Sequence, residues 1–160
     1  MRISAKSDNA VRAMAELAAA GDGALVRAED IAAAQGIPVT FLLGILRELR
    51  VAHLVRSYRG RGAGFALARS PEAITIADVI RAVDGPLANV RGLSPDELTY
   101  RGSAAPLREV WFAVRGSLRE VLEQVTLADL VRTELPANVR FWAARYTAEQ
   151  VERGWTASVS

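Results

Sequence analysis

The ten residues "RSYRGRGAGF" (56–65) hold three arginines and three glycines, and their reading decides what kind of molecule this is. A loop that cradles a nucleotide's phosphates follows a strand, opens a helix and ends in Gly-Lys-Ser/Thr. A basic hairpin has a strand on each side. Here the strand-like run "LVRSY" (54–58) precedes the glycines and a second, "GFALA" (64–68), follows them, with Phe65 and Leu67 on one face. No Gly-Lys pair occurs anywhere in the chain. Glycines at 60, 62 and 64 suit a hairpin tip that needs positive φ. The stretch reads as a hairpin, and its arginines then face a partner's phosphates.

The residues upstream predict helices. "SDNAVRAMAELAAA" (7–20) places Val11, Met14 and Ala18 at helical spacing, leaves Arg12 and Glu16 outside that stripe, and stops at Gly21. "AEDIAAAQ" (28–35) is a short helix closed by Gly36. A third, "PVTFLLGILRELR" (38–50), carries Pro38 in its first turn. Two short helices joined by a Gly-containing turn form a helix-turn-helix outline. In the third helix, Leu42, Ile45, Leu46 and Leu49 make a core stripe at i, i+3, i+4 and i+7. Thr40, Leu43, Gly44, Arg47 and then Arg50 line the opposite side. Short side chains at one end and arginines at the other are what a recognition helix needs, because small groups approach base edges while arginines reach bases or backbone. Gly44 costs about 1 kcal/mol relative to alanine in a helix interior, which close approach to a partner would offset. Leu43 on the same face also suits contact with a protein.

Downstream, "TIADVIRAVDG" (75–85) is a helix with Thr75 and Asp78 as a capping pair, closed by Gly85-Pro86. Residues 86–105 read as a polar loop with one helical turn at "SPDEL"; loops of that length are commonly functional. The longest helix starts near Pro106. Leu107, Val110, Trp111, Val114, Leu118, Val121, Leu122 and Val125 trace one apolar stripe, which calls for a partner surface, and the same helix of a second subunit supplies one. "TLADLV" (126–131) echoes "TIADVI" (75–80), with Thr126 and Asp129 capping a further short helix. The tail from 133 to 160, with Trp142 and Trp155, carries no assignment.

Composition narrows the chemistry. The 160 residues contain no cysteine and one histidine, His53, which removes disulfides, thiolate catalysis, zinc–thiolate sites and cysteine-held clusters. No nucleophile–base pair stands out, so an enzyme is not expected. No apolar run approaches the roughly 18 residues of a membrane span, and the start shows no signal peptide; a cytoplasmic, membrane-free protein is expected. Residues 1–70 carry ten Lys/Arg against six Asp/Glu and residues 71–160 ten against twelve. A basic first half suggests that this half meets a polyanion. All but one of the cations are arginine, whose fork suits phosphate and guanine, although GC-rich codons, hinted at by the many alanines, favour arginine too.

The order helix-turn-helix, glycine-rich wing, capped helix, long loop and long helix resembles the Rrf2 family of bacterial winged-helix regulators, which includes iron–sulfur and nitric-oxide sensors. The resemblance is carried by "MRISAKSDNAVRAM" (1–14), "IPVTFLLGILRELRVAHLVRS" (37–57), "RGRGAGFALARSPEAITIADVIRAVDGPL" (59–87) and "TLADL" (126–130). It implies a mainly α fold with a small β-hairpin wing: a winged helix-turn-helix DNA-binding domain over 1–85, a loop at 86–105 in the family's sensor position, and a dimerisation helix with a following short helix over 106–132. It implies a homodimeric repressor on double-stranded DNA at a palindromic operator. Contacts would come from Pro38, Thr40, Phe41, Gly44, Arg47 and Arg50 on the recognition helix. Arg59, Gly60 and Arg61 would act on the wing, with backbone support from Arg2, Ser4 and Lys6.

The chain also departs from the family pattern. Arg61 stands where a proline is common, Leu43 and Gly44 where polar residues are common, and His53 where glycine is common. Family sensors hold a cluster with three cysteines in the loop that is "NVRGLSPDELTYRGSAAP" (89–106) here, and this loop has none. No metal or cofactor is therefore expected, and the effector, small molecule or protein, is unassigned. A protein-interaction module that keeps the helix-turn-helix only as a scaffold is the competing expectation.

Overall fold

A computed structural model describes residues 3–152. The chain enters α1 (Ala5–Ala19) with Ser4 as its cap, the Ser4 hydroxyl accepting from the Ser7 amide at 2.9 Å. The face of α1 that is buried runs through Ala10, Ala13, Met14 and Leu17, while Val11 and Ala18 sit at its margins. The predicted stripe was thus displaced sideways, because six alanines spread apolar character around this helix. α2 (Ala28–Gln35) ends at Gly36 in the left-handed conformation, φ 63°, and the chain turns through 116° into α3 (Val39–Val51). That angle is in the helix-turn-helix range. Pro38 sits at the cap position of α3, one residue earlier than the first turn.

All four residues of the predicted α3 core stripe, Leu42, Ile45, Leu46 and Leu49, are buried. The helix closes with a Schellman pair of bonds, Leu54 amide to Leu49 carbonyl at 2.9 Å and His53 amide to Arg50 carbonyl at 3.1 Å. This places His53 at φ 57°, the left-handed region that favours glycine. A histidine here carries a backbone penalty that a glycine would not.

The wing is an antiparallel pair, β1 (Val55–Tyr58) and β2 (Gly64–Leu67), in the register Val55 opposite Leu67 and Tyr58 opposite Gly64. It is held to the helices by a backbone bridge between Val26 and Phe65, with bonds of 2.9 and 2.8 Å. Gly64 is required by this docking. A Cβ there would lie 3.0 Å from the Val26 carbonyl oxygen and 3.2 Å from Leu25 Cβ.

Beyond the wing, α4 (Ile76–Asp84), α5 (Leu107–Leu122) and α6 (Leu127–Arg132) follow. The two echoing segments meet. Thr75 and Thr126, each the cap of a complete capping box with Asp78 or Asp129, form a β-bridge. The Ile76 amide donates to the Val125 carbonyl at 2.9 Å and the Leu127 amide to the Ile74 carbonyl at 3.0 Å. The repeat therefore marks a pair of helix starts laid side by side. Hydrogen bonds from the Thr126 amide and hydroxyl hold the Asp129 carboxyl below its usual range.

This pairing corrects one interface residue. Val125 was placed on the long apolar stripe, but α5 stops at Leu122 and Val125 is 5 % exposed in the protomer's own core. Leu127 and Ala128 are buried in the same protomer, and α6 packs on α1. The segment between α4 and α5 also differs from a plain polar loop. It has short turns at Pro95–Glu97, inside the predicted "SPDEL", and at Gly102–Ala104, and it buries Leu87 and Leu98. The unassigned tail contains a further helix, α7 (Ala137–Glu152); Trp155 lies outside the described residues.

Candidate nucleic-acid interface

The outer face of α3 and the wing enclose an open cleft of about 470 Å³. From α3 it is lined by Leu43, Arg47 and Arg50, and from the wing by Ser57, Tyr58 and Arg59. Local rules put them there. The core stripe of α3 fixes that helix's rotation and sends residues 40, 43, 44, 47 and 50 outward, all of them exposed. The Val26–Phe65 bridge fixes the wing beside it. Arg50 Nη1 donates to Ser57 Oγ at 3.2 Å, which ties the end of the helix to strand β1. At the tip, Gly60 and Gly62 take φ 91° and 79°, a backbone that only glycine enters without strain, and they present Arg59 and Arg61 to solvent.

The sequence-predicted residues divide into three groups. Arg47, Arg50 and Arg59 converge on the cleft. Pro38, Thr40 and Phe41 are exposed at the N-terminal end of α3, and Gly60 and Arg61 at the wing tip. Gly44 is exposed, and a Cβ there would meet nothing within 4 Å, so the room for close approach lies outside the protomer. The N-terminal residues behave otherwise. Lys6 Nζ is 3.1 Å from Glu48 Oε2 and 3.8 Å from Asp84 Oδ1, and the Ser4 and Ser7 hydroxyls both donate to Asp84 Oδ2, Ser7 at 2.6 Å. They join α1 to α3 and α4. Burial raises the Asp84 pKa, but the two serine hydrogen bonds and the Lys6 charge outweigh it and leave it below the usual carboxylate range. Arg2 lies outside the described residues.

One cleft arginine was missed by the sequence reading. Arg27 lines the cleft with Ala28 and Glu29, adding an arginine from α2 to those of α3 and the wing. It occupies the cap position of α2 without making a side-chain cap bond, where Ser, Thr, Asp or Asn is preferred. An arginine in a capping slot was the available signal. Its guanidinium sits 3.5 Å from Glu29. Among the described residues, Arg47, Arg50, Arg59 and Arg61 make no ion pair, so their charge is available to an external anion. Leu43, 46 % exposed between them, supplies an apolar contact.

The comparisons agree with this geometry. Residues 3–133 match the Rrf2 family model, described as an iron-dependent transcriptional regulator. The chain is 50 % identical over 153 residues, 96 % of its length and 95 % of the relative's, to the HTH-type transcriptional regulator Rv1287 of Mycobacterium tuberculosis. It is 34 % identical over 130 residues, 81 % of its length and 89 % of the relative's, to the HTH-type transcriptional regulator CymR of Bacillus subtilis. Among solved structures it is similar to B. subtilis CymR, the global cysteine regulator, with a TM-score of 0.71 at 32 % identity over 83 % of this chain and 98 % of that one. It is also similar to T. potens IscR, with a TM-score of 0.68 at 33 % identity over 83 % and 88 %. A winged helix-turn-helix with an arginine-lined cleft, on a chain matched along its length by such regulators, is a DNA-binding transcriptional regulator of the Rrf2 family.

Proposed function

We propose that this regulator acts as a homodimeric repressor that reads a palindromic operator in duplex DNA, in the cytoplasm, without a cysteine-ligated iron–sulfur cluster. The convergence of Arg27, Arg47, Arg50 and Arg59 on one cleft between α3 and the wing carries the reading. α3 enters the major groove, where Thr40 and Arg47 meet base edges and Leu43 meets a thymine methyl. The wing arginines reach the adjoining minor groove and backbone. Dimerisation follows from α5, which has no buried residue in the protomer and leaves Val110 and Phe112 exposed. The stripe from Leu107 through Trp111, Val114, Leu118 and Val121, half-buried in the protomer, supplies the face for a second copy, while Leu122 packs against the protomer's own core.

An iron–sulfur cluster does not fit the residues present. The loop between α4 and α5 has no thiolate, and its carboxylates are engaged: Asp96 accepts from Ser94 and Arg115, and Glu97 accepts from the Ser94 amide. Ser94's hydrogen bond, more than the Arg115 charge, holds the Asp96 carboxyl below its usual range. Asp8 on α1 is 3.5 Å from Arg12. Among the described residues no three His, Cys, Asp or Glu side chains group as metal ligands.

Selection from a random duplex pool with purified full-length protein tests the reading. The expected product is an inverted repeat with half-sites about one helical turn, ~34 Å, apart. Recovery of no preferred duplex, or of a single unrepeated half-site, overturns it.

A further inference from the structure

α7 stands off the protomer. Leu135 and Val139 pack against the core and Asn138 Nδ2 donates to the Glu120 carbonyl of α5 at 3.0 Å. Every residue from Arg140 to Ala148 is then exposed. Three of them are large aromatics: Phe141 is 59 %, Trp142 50 % and Tyr146 61 % exposed. Phe141 lies edge-on to Trp142 at 5.3 Å and the Arg145 guanidinium stands over the Trp142 ring at 5.6 Å, and Tyr146 follows Trp142 at i+4 on the same helix. Most helical stability in proteins comes from packing one face of the helix, and few monomers leave three large aromatics of one helix in solvent. α7 also begins after residue 133, where the family match ends, so the family fold alone does not account for it.

We propose that α7 of one protomer packs across α5 of a second copy, burying Phe141, Trp142 and Tyr146 as an extension of the dimer interface; this rests on the dimeric reading above. Three observations select the second copy. The aromatic helix adjoins the C-terminal end of α5 through the Asn138–Glu120 bond, and both helices are 16 residues, about 24 Å, long. The area argues the same way. One face of such a helix, about 24 by 12 Å, offers on the order of 300 Å², well under the roughly 800 Å² per partner of a standard interface. The half-exposed aromatics of α7 add on the order of 350 Å². The charges are complementary as well: Glu109 and Glu120 on α5 and Arg140 on α7 are exposed and make no ion pair among the described residues.

The test is sedimentation of the full-length chain from nanomolar to micromolar concentration, beside Trp142→Ala/Tyr146→Ala and, as a control for the α5 face, Val110→Asp/Val114→Asp. A wild-type dimer whose dissociation constant rises about 30-fold or more in the aromatic variant supports the inference, since buried Trp and Tyr anchors each have effects of this size. Unchanged dimerisation in that variant overturns it while the dimeric reading stands. So does a fall in melting temperature that is independent of concentration, which assigns the aromatics to packing within their own chain, or loss of co-sedimentation with anionic lipid vesicles at unchanged dimer affinity. A wild-type chain that is monomeric at every concentration defeats both readings, and an α5 control that stays fully dimeric defeats the α5 face.

Discussion

The cleft makes a quantitative statement about salt. Each protomer offers Arg47, Arg50, Arg59 and Arg61 without an internal carboxylate partner among the described residues, with Arg27 held loosely 3.5 Å from Glu29. Every phosphate neutralised on duplex DNA contributes about 0.9 to the fall of log K with log salt. Five arginines per protomer on a two-fold dimer give an upper slope of about −9. Arg59→Ala removes one charge from each wing and should reduce the slope by about 1.8. Between 50 and 200 mM salt, a four-fold change, a slope smaller by 1.8 means the variant loses about 12-fold less affinity than wild type. Fluorescence anisotropy on one operator duplex over that range measures both lines. Lys6 supplies the contrast. It is held by Glu48 and Asp84, so Lys6→Met should leave the slope unchanged and act on stability instead. Two parallel lines for Arg59→Ala, offset or not, would refute the assignment of Arg59 to a neutralised phosphate.

Three further outcomes follow from the fold. Gly64→Ala sets a Cβ 3.0 Å from the Val26 carbonyl and forces the two-bond bridge to Phe65 apart; at about 1 kcal/mol per bond, chemical denaturation should show a loss of about 1–3 kcal/mol, with operator affinity falling as the wing undocks. His53→Gly relieves the φ of 57° and should raise stability by under about 1 kcal/mol, the left-handed penalty less the entropy glycine adds to the unfolded chain; a drop in melting temperature would show a role for the imidazole in the protomer. Asp84 has a folded pKa below its unfolded value, so its contribution is complete above the ordinary value near ~3.9 and is lost as pH falls through the folded pKa. Asp84→Asn should therefore lower stability at neutral pH and flatten the acid limb of the stability curve below about pH 5, measured by denaturation between pH 2 and 7.

The parts legible in the sequence are those fixed by short-range rules. Leu42, Ile45, Leu46 and Leu49 announce the buried face of α3 by spacing alone, and that face determines the outward residues. Glycines between two strand-like runs announce the wing, and Thr-x-x-Asp announces the starts of α4 and α6. What was hidden depends on long-range pairing. Val125 continues the apolar period of α5, yet the chain leaves the helix three residues earlier because residues 125–127 pair with 74–76. Periodicity cannot register a partner fifty residues away. Lys6 read as one more cation near a polyanion, and only the fold brings Glu48 and Asp84 to it. Arg27 joined the cleft because the Val26–Phe65 bridge draws the start of α2 toward the wing, a contact between segments that neither one encodes.

Lys6 also sits where three helices of the protomer meet. Glu48 belongs to α3, Asp84 ends α4 just before the loop, and Lys6 lies between them on α1. One turn earlier on α4, Arg81 reaches Glu123, which also accepts from Arg119 at the end of α5; the Arg81 hydrogen bond, then that of Arg119, holds the Glu123 carboxyl below its usual range. Charged contacts thus tie α5 to α4, and a separate set ties α4 through α1 to α3. Each link is partly exposed and individually weak, so these contacts cannot lock the orientation of α3. They can bias it, provided that α5 or the loop has two arrangements. A shift of α4 that lengthened the Lys6–Asp84 contact, already 3.8 Å, would leave Lys6 to Glu48 alone and loosen the tie between α1 and α4 without touching the cleft.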